Sequence, residues 1–108
     1  MTRAINALTV DLNDLPLEPG SVVSGTPRAG LVTSGALGEV EVGVWELTEG
    51  TVTDTEADEL FVVLSGTGTV TFADGESIDL APGVLVRLHE GEQTTWTITS
   101  PLRKVWIS

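Results

Sequence analysis

An all-β domain is what this sequence predicts, and three observations predict it. Apolar and polar residues alternate with period two almost everywhere past residue 38, whereas no window repeats apolar residues at helical spacing for three turns. Twelve glycines and five prolines in 108 residues supply many tight turns, which suit short strands better than helices. The apolar runs also recur at short, regular spacing, the pattern of a sandwich or barrel. At this length one domain, residues 1–108, with a single core is expected.

The elements follow in chain order. Residues 1–20 read as an arm, because Leu15-Pro16-Leu17-Glu18-Pro19-Gly20 is too proline-rich for a central strand. Such an arm lies along a sheet edge or reaches a neighbouring subunit. Short strands are predicted near Ser21 to Ser24 and Leu31 to Ser34. Val40, Val42 and Val44 then alternate with Glu41 and Gly43, and the apolar run from Glu59 to Gly66 follows. Val70 and Phe72 alternate with Thr69 and Thr71, and Ile78 and Leu80 with Ser77 and Asp79, so each of these strands has one wet face. Asp74-Gly75 between the last two runs signals a hairpin of type I′, with positive φ at both central residues. Ala81-Pro82-Gly83 turns into Val84 to Leu88, and Glu90-Gly91 into Gln93 to Thr99; Leu102 to Ile107 closes a count of roughly nine strands.

Sixteen acids against five bases give a net charge of −11, which repels nucleic acid and anionic membrane surfaces alike. The absence of cysteine excludes disulfides and thiolate metal sites. No signal peptide or membrane span is visible near the N-terminus, so a cytoplasmic protein is expected.

Four segments carry a family resemblance: G-V-W-E-L-T-E-G at 43–50, E-L-F-V-V-L-S-G at 59–66, D-G-E-S-I-D-L-A-P-G at 74–83 and W-T-I-T-S-P-L-R-K-V-W at 96–106. In order and spacing they resemble the small cupins grouped with the cupin domain of (S)-ureidoglycine aminohydrolase, a branch of the RmlC-like jelly rolls. The resemblance implies a jelly-roll barrel (double-stranded β-helix) with its core at 38–107, and a homodimer joined through sheet edges. It also implies a metal held by two histidines and a glutamate of the first motif and a histidine of the second. Counting back from Glu59 puts Thr53 and Thr55 at the first two positions; Thr94 falls at the fourth, and His89 where the family has proline. Counting forward from Gly50 lands instead on Glu56 and Asp58. The count from Glu59 is preferred, because insertions are tolerated in a loop before a strand and not within it. With one histidine and no cysteine, no three-histidine centre can be built in one subunit. The expectation is therefore no cofactor, with an oxygen-ligand site for Mg²⁺, Mn²⁺ or Ca²⁺ from Glu59 with Asp54 or Glu56 as the alternative.

A carboxylate at the mouth of a buried strand needs an explanation, because charge is normally avoided there. By alternation Glu59 shares a face with Phe61 and Val63, which the resemblance turns toward the cavity. It is the candidate general acid or base, a ligand anchor, or an inward acid bonded to Thr55 or Thr94. Thr94, Trp96 and Ile98 share the inner face of their strand, making Trp96 a cavity wall or a core plug. The expected ligand-binding set is Glu59, Phe61, Thr53, Thr55, Thr94 and Trp96, around a small polar or carboxylate-bearing molecule. Trp45 and Trp106 are core, interface or rim residues. Arg87 and His89 fall on the outward parity unless a bulge redirects them. Arg103 and Lys104 read as surface bases paired with Glu41 or Glu46. Three functions stay open: a small-molecule binder, a metal-dependent enzyme related to the aminohydrolase, and a structural dimer.

Overall fold

The computed structural model describes residues 3–108. Nine strands are found among the described residues: β1 (Asn13–Leu15), β2 (Val22–Ser24), β3 (Ala29–Leu37), β4 (Val40–Leu47), β5 (Gly50–Thr55), β6 (Glu59–Phe72), β7 (Ser77–Leu80), β8 (Leu85–Leu88) and β9 (Gln93–Ile107). A single turn of 3-10 helix at Pro19–Ser21 interrupts them, and among the described residues no helix is long and apolar enough to cross a membrane.

The fold is all-β, a single curled sheet whose two halves share the long strands β6 and β9. In one half the C-terminal part of β9 lies between β4, with Trp45 opposite Lys104, and the N-terminal part of β6, with Phe61 opposite Trp106. In the other half the N-terminal part of β9 lies between β5, with Val52 opposite Trp96, and the C-terminal part of β6, with Val70 opposite Trp96. All of these pairs are antiparallel. The inner faces meet in one core containing Leu47, Phe61, Val63, Val70, Leu88, Trp96 and Leu102. Burying each such side chain contributes roughly 1.5–3 kcal/mol.

The long strands were predicted as two pieces each, split at Gly66 and at Ser100-Pro101. They run through because the bend between the halves is built into them. The β6–β9 register shifts repeatedly between Val63 and Gly68, and Gly66 takes a φ of 89° where a Cβ would run into the Pro101 carbonyl oxygen. A proline is tolerated there because the ladder is already interrupted. Two short strands were not foreseen. β1 is a mere three-residue pairing of the arm on the β3 edge, Asn13 to Leu31 and Leu15 to Ala29. The alternation in β5 is masked by polar Thr51, Thr53, Asp54 and Thr55.

The Asp74-Gly75 hairpin joins β6 to β7 by another turn than the one expected. Gly75 alone has positive φ (94°); Phe72 N–H donates to Glu76 O at 2.8 Å, and Asp74 Oδ1 accepts from Glu76 N–H at 2.8 Å. This is a three-residue loop ending in a left-handed glycine and held by an Asx contact, with Asp74 outside the positive-φ region. The arm is secured by Arg103, which is not free at the surface: Nη1 donates to the carbonyls of Ala7 (3.1 Å) and Val10 (2.9 Å), and Nε to Glu46 Oε1 (3.1 Å).

Candidate functional site

The inward parity of β9 runs Thr94, Trp96 and Ile98 in its first half and Leu102, Lys104 and Trp106 in its second. From β4 Trp45 joins them, and from the start of β6 Glu59 and Phe61. Of these, Trp45, Glu59, Trp96, Lys104 and Trp106 line a cavity of 420 Å³ together with Leu15 and Leu17 of the arm, Leu31, Val52 and Glu56, and with Glu18 and Asp54 among its polar residues. That volume suits one small molecule.

Lys104 is the principal correction to the sequence reading. It is 5% exposed, and its Nζ donates to Glu59 Oε2 at 2.6 Å. Three rings surround the ammonium, with centroids of Phe61, Trp45 and Trp96 at 4.3, 4.5 and 4.9 Å. A desolvated cation gains about 2 kcal/mol from such a ring face, and a carboxylate at hydrogen-bond distance supplies its counter-charge. The alternation that turns Arg103 outward onto Glu46 necessarily turns Lys104 inward.

Glu56 is the second ionisable group inside, and it comes from the turn between β5 and β6. Its backbone is pinned to the β8–β9 turn, with Glu56 N–H donating to Glu92 O (2.9 Å) and Gly91 N–H to Glu56 O (2.8 Å). Its Oε2 accepts from Thr94 Oγ1 at 2.6 Å and Trp96 Nε1 at 3.1 Å. Burial pushes its carboxyl above the ordinary value of 4.5, reinforced by the charge of Asp54 and opposed by those two hydrogen bonds and by Lys104.

The expected site residues therefore separate. Glu59 and Trp96 line the cavity, Thr94 is buried behind Glu56, and Phe61 is fully buried beneath Lys104. Thr53 and Thr55 are exposed, on the face of β5 where they register with Thr95 and Gln93, with Thr53 reaching only the rim. The inward position near them is Glu56, where the forward count from Gly50 had pointed. Glu59 bonds to Lys104 rather than to Thr55 or Thr94. Arg87 and His89 are exposed, Arg87 pairing with Asp58 at 3.3 Å. A backbone N–H from Glu90 and the Arg87 guanidinium hold the Asp58 carboxyl below its ordinary value of 3.8. Trp106 packs over Gly43, where any Cβ would strike its indole, and its Nε1 is buried without a partner among the described residues. No three His, Asp or Glu side chains among the described residues come together as a group able to hold a metal.

A family model described as an EutQ-like cupin domain matches residues 34–106. The chain belongs to the EutQ-like cupin family. Solved structures agree with this fold. The EutQ protein of Clostridium difficile aligns with a TM-score of 0.72 at 19% identity, covering 96% of this chain and 83% of that one. A protein of unknown function in the DUF861 family from Pseudomonas syringae aligns with a TM-score of 0.79 at 21% identity, over 95% of this chain and 46% of that one. An ectoine synthase from P. lautus aligns with a TM-score of 0.62 at 19% identity, over 81% and 66% of the two chains. Likeness at these identities carries the fold alone, and it is a fold shared by proteins of different and unknown functions. No curated protein matches the chain.

Proposed function

We propose that this EutQ-like cupin binds one small polar molecule inside its barrel, beside the Glu59–Lys104 pair and Glu56. The observation that supports the reading is the placement of Glu56, Glu59 and Lys104 on the wall of one 420 Å³ cavity whose other lining residues are indole and aliphatic side chains together with Glu18, Asp54 and a few hydroxyls. Charges are costly in such surroundings, and a few convergent polar groups in an apolar pocket are the usual form of a binding site. A cytoplasmic location accords with the cysteine-free composition. Native mass spectrometry of the protein as purified, followed by a thermal-shift panel of small polar compounds, tests the reading. A retained small molecule or a compound-specific stabilisation that Glu59→Gln abolishes supports it; stabilisation unchanged in that variant removes the carboxylate from the site.

The finer kinship to (S)-ureidoglycine aminohydrolase, and with it an enzymatic function, rests on the four sequence motifs. Glu56 favours an enzyme in one respect, because a carboxyl with a raised pKa is suited to proton transfer. Ammonia release from ureido acids is the corresponding assay, and its absence would leave binding alone.

A homodimer draws support from the outer face of the sheet. Val32, Val44, Val105, Val62 and Leu85 are consecutive register partners across β3, β4, β9, β6 and β8. On the same face Leu60, Leu85 and Ile107 are exposed. Val44 is already covered within the chain (2% exposed), so the apolar surface open to a second sheet is the part of this face around Leu60, Leu85 and Ile107.

A further inference from the structure

The motifs imply a metal at Glu59, and the side chains around Glu59 do not fit one. Thr53 and Thr55 lie on the outward face of β5, Thr94 gives its hydroxyl to Glu56, and Glu59 directs Oε2 at Lys104 Nζ, 2.6 Å away. A transition metal at Glu59 would find the single oxygen that this side chain leaves free, and no imidazole.

What stands there is already a cation with its own shell. The Lys104 ammonium has a carboxylate on one side and the faces of Phe61, Trp45 and Trp96 at 4.3, 4.5 and 4.9 Å on the others. The negative ring faces and the carboxylate oxygen do for the ammonium what ligand atoms do for a metal ion. A divalent ion drawn to the same carboxylate would lie within a few ångströms of this charge, in surroundings too poorly solvated to screen the repulsion. The ammonium is also tethered to the chain, whereas a metal must be recruited from dilute solution. We propose that Lys104 is the built-in cation of this cupin, occupying the metal's place against Glu59 and excluding divalent ions from it. The cavity then presents a fixed positive charge with N–H donors to an oxygen atom of whatever it binds, and it offers no open coordination position.

The experiment is metal rescue, and it needs no knowledge of the bound molecule. Lys104→Met leaves Glu59 without a counter-charge, so this variant is expected to melt below the wild type and to regain several degrees on addition of Mn²⁺. The wild type and the neutral double variant Glu59→Gln/Lys104→Met are expected not to respond. If Lys104→Met is indifferent to Mn²⁺, Mg²⁺, Ca²⁺ and Zn²⁺ alike, the proposal is overturned. Should that variant not fold, the wild type alone decides. With excess Mn²⁺, the indole N–H signals of Trp45 and Trp96 are expected to keep their intensity in the wild-type NMR spectrum. Paramagnetic broadening that disappears in Glu59→Gln would place a metal where the ammonium is assigned and overturn the proposal. Cavity binding by polar compounds is read separately, so failure of either result leaves the other standing.

Discussion

Glu56 sits where ionisation is resisted, and that has a consequence for stability with a definite sign. Its carboxyl is raised above 4.5 in the folded protein, mainly by burial, so as the pH rises the unfolded chain ionises first. Stability attributable to this group is full below the ordinary value and is lost as the pH climbs through the raised one. Glu56→Gln keeps an oxygen for Thr94 and Trp96 and cannot ionise. Chemical denaturation across a pH series should show the variant gaining on the wild type above pH 4.5 and losing that advantage below it. Lys104→Met is expected to cost roughly 3–5 kcal/mol, because it strands a partly buried carboxylate; adding Glu59→Gln should return most of the loss. Neither partner is easily found by composition. Lys104 was legible all the same, since Leu102, Lys104 and Trp106 share a parity and only an assumption that bases face water hid it. Glu56 was harder, because it lies in a turn where alternation has no force and two counts of the motif disagree.

At the scale of elements, the bend in β6 and β9 is what brings the two halves of the sheet around one cavity. Gly66→Ala would force a Cβ toward Pro101 at a φ of 89°, and a loss of about 1–3 kcal/mol or more is expected by denaturant titration. The arm depends on different chemistry. Arg103 carries two of its carbonyls, at 2.9 and 3.1 Å, so Arg103→Ala should raise hydrogen exchange across residues 6–15 while leaving β6 protected. Strand identity was readable wherever valines alternate, as in β4 and β8. It failed where the core demanded little of the sequence: β1 is defined only by its edge partner, and β5 buries Val52 amid polar neighbours. The hairpin was read correctly from Asp74-Gly75, but the turn type was not, because an Asx hydrogen bond gives the chain a second way to reverse.

Over the whole molecule the two outer faces differ in chemistry. The half of the sheet carrying β5 and β7 shows rows such as Thr53, Thr95, Thr71 and Ser77, suited to water, while the other half exposes Leu60, Leu85 and Ile107. A dimer through this apolar patch brings together two chains of charge −11, so association should tighten as salt is added, opposite to an association driven by unlike charges. Sedimentation at low and high salt checks this, and Leu85→Lys should shift the mass to that of one chain; a wild type that stays monomeric at every salt concentration removes the dimer. The all-β architecture was visible in the period-two pattern because burial on one face imposes it. The cavity's contents were not, because they depend on which long side chains meet across strands far apart in sequence. The central claim, that the Glu59–Lys104 cavity takes up a small polar molecule, is tested most directly by titrating such compounds against the tryptophan indole N–H signals in NMR. The expected result is saturable shifts of Trp45 and Trp96 by at least one compound, weakened about tenfold or more in Glu59→Gln; indole signals that no compound moves at millimolar concentration would contradict it.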